Sequence, residues 1–381
     1  MGLKPAGPED SYFQPFNLVS ATLGEENLLE VFHGPNASIR LHAGQDYYPH
    51  RFSASAHVKA PVVYVGFGIS APKLSYDDYE GEAVRGSIVL VLEHEPGEKD
   101  PNSPFEGVVS SEYSRQLTKA LVAQEKGAVG VLFVQDVHNH PGPDNFDAEA
   151  QRYWPEEPRR RQRYNLASMV ERIRIPVLQI SSSLAQTMVL GTGRSFQELS
   201  RAAETEHGMS SLPLPGIEVE VTSSMERHIV PDRNVVALIE GSDPRVKDEW
   251  VIICAHYDHV GVSEGGDIYN GADDDGSGIV AVLEVAEAYA LAAASGQRPR
   301  RGILFAAWDA EESGLLGAWA YTESPLTPLQ KTVAVLNMDT IRKSPKGAAG
   351  VSAGSTSRPQ RRTPMRSTSW GTLTAPICSR R

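Results

Sequence analysis

The sequence predicts an α/β protein: an open, mostly parallel sheet, with a β-rich region of mixed α and β structure ahead of it. Three observations carry this. From residue 234 onward, strand-like and helix-like stretches alternate, the pattern of an open parallel sheet. Between residues 60 and 190, short β-branched runs bounded by Gly and Pro surround a single amphipathic helical stretch. The polar residues of the later region fall at the ends of its strand-like runs, where sheets of this class gather their ligands.

Taken in order, the first 55 residues mix short apolar runs with turns. The runs "APVVYVGFGI" and "GSIVLVLE" then read as strands, "YSRQLTKALVAQEKGA" as a helix, and "VGVLFVQD" and "IPVLQIS" as further strands. The charge run "AEAQRYWPEEPRRRQRY" reads as a solvated loop. His138 and His140 in "DVHNHPG" have no acidic or Cys partner at a telling spacing, and a polar surface loop is the expectation there. In the later region "NVVALIEG" and "WVIICAHYD" read as strands, the second apolar enough to be buried on both faces. "GSGIVAVLEVAEAYALAAASG" reads as a helix with Ile279, Leu283, Ala286 and Ala290 on its apolar stripe and Gly296 as its stop. Strand "GILFAAWDA", short helix "GLLGAWAY" and strand "VAVLNMD" follow.

At 381 residues the chain has room for two domains, each with its own core. Its 36 basic and 48 acidic residues argue against nucleic acid or an anionic membrane as the main partner. Two cysteines, Cys254 and Cys378, imply no disulfide framework. No apolar run near 18 residues predicts a membrane span, and the start "MGLKPAGPED" has no apolar signal core. Oligomeric state is not legible in the sequence.

The candidate chemistry sits at successive strand ends. His256 and Asp258 close one strand, and the His-x-Asp spacing puts both side chains on one face. Asp273, Asp274 and Asp275 lie just before a helix; Glu311 and Glu312 follow the next strand; Asp339 ends the last. So many carboxylates on one rim would repel unless a cation joins them or they stay apart and wet. Imidazole with several carboxylates suits zinc, and more than four ligands suits two ions. Two ions roughly 3.5–4 Å apart are the arrangement used for hydrolysis. For Asp274 and Asp275 the expectation is a favourable charge at the helix N-terminus rather than ligation. No Gly-x-Ser-x-Gly elbow supports a serine hydrolase.

In order and spacing, "HYDHVG", "GADDDGSG", "DAEESGLLGA" and "NMD" resemble the motifs of the di-zinc aminopeptidases, metallopeptidase family 28. The resemblance implies an α/β zinc-exopeptidase core that binds two Zn2+ and acts on a peptide or protein substrate. It implies that His256 ligates one zinc with Asp258 orienting it, that Asp273 bridges both ions, that Glu311 is the general base, and that Glu312 and Asp339 are ligands. Aminopeptidase activity is the expectation; carboxypeptidase or glutaminyl cyclase activity on the same scaffold, or a non-catalytic binding module, are the alternatives. The stretches "YVGFGI", "GSIVLVL", "AQEKGAVGVLF" and "IPVLQIS" resemble, less specifically, the protease-associated domain, which implies an inserted β-rich α+β domain. Domains are expected at 1–55 (lead-in of the peptidase domain), 56–195 (protease-associated), 196–339 (zinc peptidase core) and 340–381 (tail). Family members with this insert are often secreted, so a secreted or periplasmic parent is implied.

The tail departs from the family pattern. The chain carries −21 before Thr340 (27 basic minus 48 acidic) and +9 from there on, with no acid at all in the last stretch. No histidine follows His259, whereas the resemblance implies a second metal-binding histidine beyond Asp339. Residues 340–381 are therefore expected to be disordered or read from a shifted frame, leaving the core incomplete at its C-terminal side and the second zinc site compromised.

Overall fold

The computed structural model describes residues 2–341 apart from 35, 82, 144, 157–161 and 264. The expected disordered or frameshifted tail falls, from residue 342 on, outside the described residues. The chain forms two compact units, Leu18–Val230 and Met1–Asn17 with Pro231–Arg381.

The first unit is built on an eight-stranded sheet. Its strands are β1 (Leu28–His33), β2 (Ser38–Arg40), β3 (Tyr47–Pro49), β4 (Ala56–Tyr64), β5 (Ile88–Leu92), β6 (Gly130–Val134), β7 (Val177–Ile180) and β8 (Leu212–Ser223). They lie in the order β2-β1-β8-β4-β5-β6-β7-β3, with β4 through β7 parallel. Every residue of β5 and β6 is buried because both faces are covered. Helix α1 (Gln116–Glu125) packs Ala120 and Ala123 against Val89, Val91 and Phe133 on one face. On the other, Leu90 and Leu132 join a second core with Met188 and Val189.

This unit takes in more chain than the expected span of 56–195. β8 alternates buried Leu214, Ile217, Val219 and Val221 with exposed or half-buried neighbours, and it pairs with both β1 and β4. Segments expected in the lead-in and in the peptidase core are therefore bound into this sheet. The charge run is also not wholly loop. Phe146–Tyr153 is a helix, because Phe146 and Ala150 fall on one face and pack against Tyr48.

The second unit holds β9 (Met225–Ile239, from Pro231 onward), β10 (Trp250–His256), α2 (Gly276–Ala294), β11 (Gly302–Trp308), α3 (Leu316–Glu323) and β12 (Thr332–Asn337). Strand order is β9-β11-β10-β12, with β10 parallel to both neighbours and β9 antiparallel to β11. Its parallel part, β11-β10-β12, is the arrangement the alternation predicts, while the further strands of this seven-stranded sheet add antiparallel pairings. Ile253, Ala255, Ile303 and Phe305 face Val282 and Ala286 of α2, while Cys254, Leu304, Ala306 and Trp308 face Ala318 and Tyr321 of α3.

The stripe expected on α2 holds at Ala286 and Ala290, which are buried, and at Ile279, which packs against the core, and fails at Leu283. Gly278, Val282, Ala286 and Ala290 are buried, whereas Leu283 is 51% exposed. A helix apolar nearly all round offers no polar face from which to phase the buried one. By length and composition α2 also meets the requirement of a membrane span, which the sequence reading did not find. Its small-residue face lies on the sheet as a core helix would.

Candidate metal centre

Backbone geometry brings the strand ends to one rim. β10 and β11 run in register from Trp250–Gly302 to His256–Trp308, so the segments that follow them leave the sheet side by side. β12 pairs on the other flank of β10 and delivers Asp339 just beyond. α2 begins at the same rim, with Asp275 as its N-cap.

Two carboxylates hold this rim together without facing the ligand cluster. Asp275 accepts from Gly278 N (3.1 Å), His256 N (3.0 Å) and Thr340 N (3.2 Å), tying the helix start to β10 and to the chain after β12. The expectation that Asp275 serves the helix N-terminus is met. Asp258 accepts from Glu311 N (2.9 Å) and Glu312 N (3.2 Å). Its Oδ1 also lies 3.5 Å from His256 Nδ1, which is 3.1 Å from the Asp258 carbonyl. With Nδ1 directed at those oxygens, the proton belongs there and Nε2 is left to ligate. Burial works against the Asp258 charge, but His256 and the two amides outweigh it and hold the carboxyl below its ordinary value. Burial would likewise lower His256; the Asp258 hydrogen bond and the charges of Glu311, Asp258 and Asp275 reverse the sign and raise it to about 9.

His256 Nε2 faces Asp274 Oδ1 at 3.1 Å and Glu311 Oε2 at 3.8 Å. On the other side of Asp274, His259 Nδ1 and Glu312 Oε1 are 2.7 Å apart. Two groups of potential ligands result: His256, Asp274 and Asp339, and His259, Asp274 and Glu312, the ligand atoms of each lying within 4.8 Å of one another. Asp274 belongs to both. Asp273, for which the bridging role was expected, is in neither group, and its carbonyl accepts from Ser277 Oγ at 2.7 Å. Asp274, expected only to complement the helix dipole, stands among the potential ligands instead. His256, Glu312 and Asp339 stand in the groups as expected. His259 was not anticipated, although it lies in the same "HYDHVG" stretch. Glu311 lies beside both groups, its carboxyl raised first by burial, lowered by His256, and raised further by Glu312, Asp258 and Asp339.

One imidazole and two carboxylates in each group suit a borderline divalent ion such as zinc, and a shared carboxylate suits two ions side by side. Residues 234–372 match the family model described as Peptidase family M28. That segment belongs to peptidase family M28. Residues 58–188 match the PA domain model, as the weaker resemblance implied. A probable glutamate carboxypeptidase of Arthroderma benhamiae is 29% identical over 174 residues, covering 45% of this chain and 23% of that protein. Aminopeptidase NAALADL1 of Mus musculus is 36% identical over 127 residues, covering 32% of this chain and 16% of that protein. Both alignments thus span less than a quarter of the relative. Among solved structures, the aminopeptidase from Aneurinibacillus sp. strain AM-1 aligns at 19% identity and TM-score 0.38, over 86% of this chain and 60% of that one.

Proposed function

We propose that this chain carries the metal centre of a zinc metallopeptidase that removes N-terminal residues from peptides. The observation that supports it best is Asp274 standing between two ligand groups with Glu311 alongside. His256, Asp274 and Asp339 would hold one ion, and His259, Asp274 and Glu312 a second. Zinc in these places would polarise the scissile carbonyl and make water a competent nucleophile near neutral pH. The chain's own part is proton handling and alignment. Glu311 takes the proton of the attacking water and returns it to the departing amine, a task suited to a carboxyl raised by burial. Asp258 keeps His256 in the ligating tautomer and fixes the backbone of Glu311 and Glu312. A secreted or periplasmic parent remains part of this reading, through the family alone.

Carboxypeptidase action is the rival, and a free-ended peptide digest resolved by mass spectrometry separates the two by which terminus shortens. Glu311→Gln should keep the zinc content and cut hydrolysis by roughly 10²–10⁴-fold. Unchanged turnover in that variant would remove Glu311 as the base. Shortening at neither end by the wild-type chain would favour the non-catalytic binding module.

A further inference from the structure

A second set of ligating side chains stands in the first unit, where no catalytic role has been assigned. β5 and β6 are adjacent parallel strands, and the loops that leave their carboxyl ends carry His94 with Glu98, and His140. Glu98 Oε1 lies 2.6 Å from His140 Nε2, and Glu98 Oε2 lies 3.4 Å from His94 Nδ1. The two imidazoles stack at 4.2 Å between centroids, 24° apart. One ligand atom from each of the three lies within 4.8 Å of the others.

Three features set this apart from an ordinary surface ion pair. Glu98 Oε1 and His140 Nε2 are buried, and neither makes a hydrogen bond despite their closeness. A cation shared between the two atoms would give each a partner that satisfies it. His94 adopts φ 63, a left-handed conformation uncommon outside glycine, which turns its ring toward the other two side chains. Both loops are anchored to the Glu204 carboxylate as well, and the second is also tied to Asp136 through its carbonyl and its carboxylate. His140 N donates to Asp136 O (3.0 Å), Asn139 Nδ2 to Asp136 Oδ2 (2.8 Å), and Gly97 N to Glu204 Oε2 (2.8 Å), while Asn139 also donates to Glu204. The donors are thus held in place by contacts that do not use their ligating atoms.

We propose that His94, Glu98 and His140 form a binding site for a divalent transition ion, zinc by the donor set, in the protease-associated unit. Two imidazole nitrogens and one carboxylate match zinc and its first-row neighbours, and do not match calcium or magnesium, which take oxygen ligands. The ion would clip the loop after β5 to the loop after β6, across 46 residues of sequence (140 minus 94).

The test uses the full, tag-free chain carrying Asp274→Asn and Glu312→Gln to disable the peptidase centre. After chelation and dialysis against zinc, metal analysis and calorimetric titration should find one zinc equivalent remaining. Adding His140→Gln or Glu98→Gln should remove it or weaken it by more than roughly 10–100-fold, the range for losing a mere outer partner. His138→Gln, a neighbouring imidazole outside the group, should keep it. Equal zinc content and equal zinc-dependent rise in melting temperature with and without His140→Gln and Glu98→Gln would overturn the site. So would loss in the His138→Gln control to the same degree.

Discussion

Three consecutive aspartates are chemically identical in sequence, yet only Asp274 stands in the two ligand groups, and exchanging each for asparagine separates them. In the metal-free protein the Asp274→Asn change should be nearly silent. Its attraction to His256 at 3.1 Å is screened by water on the Asp274 side, whose side chain is 48% exposed although His256 is buried, and a pair screened in this way contributes about 1 kcal/mol or less. Repulsion from Glu312 and Asp339, its companions in the two groups, offsets part of that. With zinc present the outcome differs. At a hundred times Kd, binding stabilises the fold by about 2.7 kcal/mol, or about 5–11 °C for a unit of this size. If losing the shared carboxylate weakens binding about 100-fold, the top of the range for a lost outer partner, the same zinc concentration gives about 0.4 kcal/mol, or about 1–2 °C. Asp273→Asn should keep the full rise. Differential scanning calorimetry of both variants with and without zinc reads this directly, and any zinc bound elsewhere contributes equally to each. A full rise in Asp274→Asn with a lost one in Asp273→Asn would refute the assignment.

Further expectations follow from the same contacts. His256 rises from its ordinary 6.5 to about 9 in the metal-free fold, so its stabilising contribution is complete below pH 6.5 and is lost as pH climbs through 9. Chelated protein should therefore lose melting temperature across that window, and Asp258→Asn should flatten the slope and bring the His256 NMR titration back toward 6.5. A Cβ at Gly278 would stand 1.8 Å from the Met338 carbonyl and 2.3 Å from Asp275 Oδ1, so Gly278→Ala must shift the start of α2. Overpacking of that kind costs about 1–3 kcal/mol, and denaturant unfolding should show it together with weaker zinc binding. The Glu311→Gln assay, by contrast, should change turnover and leave metal content alone.

How much of this was legible depended on whether the signal was local. The His256–Asp258 spacing, the Glu311–Glu312 pair and Asp339 could be placed because each closes an apolar strand, and a parallel sheet sends all strand ends of one direction to one rim. The aspartate triplet could not be resolved, because only the backbone decides that Asp275 turns to the Gly278 amide while Asp274 faces His256. His259 lay in view but at a spacing with no recognisable face. His140 was in view without a partner, but its meeting with His94 and Glu98 was out of reach, since that depends on β5 and β6 being neighbours. That segments 28–33 and 212–223 pair into the sheet of the first unit was out of reach for the same reason: which strand pairs with which is a long-range fact.

Asp258 and Asp275 together accept five backbone amides, two and three respectively, from four separate stretches of the second unit. Neither belongs to a ligand group, so the bonds they make to the backbone do not draw on metal ligation. A centre framed by these amides would not depend on an ion to order its chain, so an arriving ion would meet a finished cradle. Exchange of one metal for another becomes a matter of ligand substitution, with its speed set by the departing ion. A chelated sample should accordingly regain its metal on simple mixing, without passing through denaturant, and cobalt or manganese should be interchangeable visitors in the same unmoved frame.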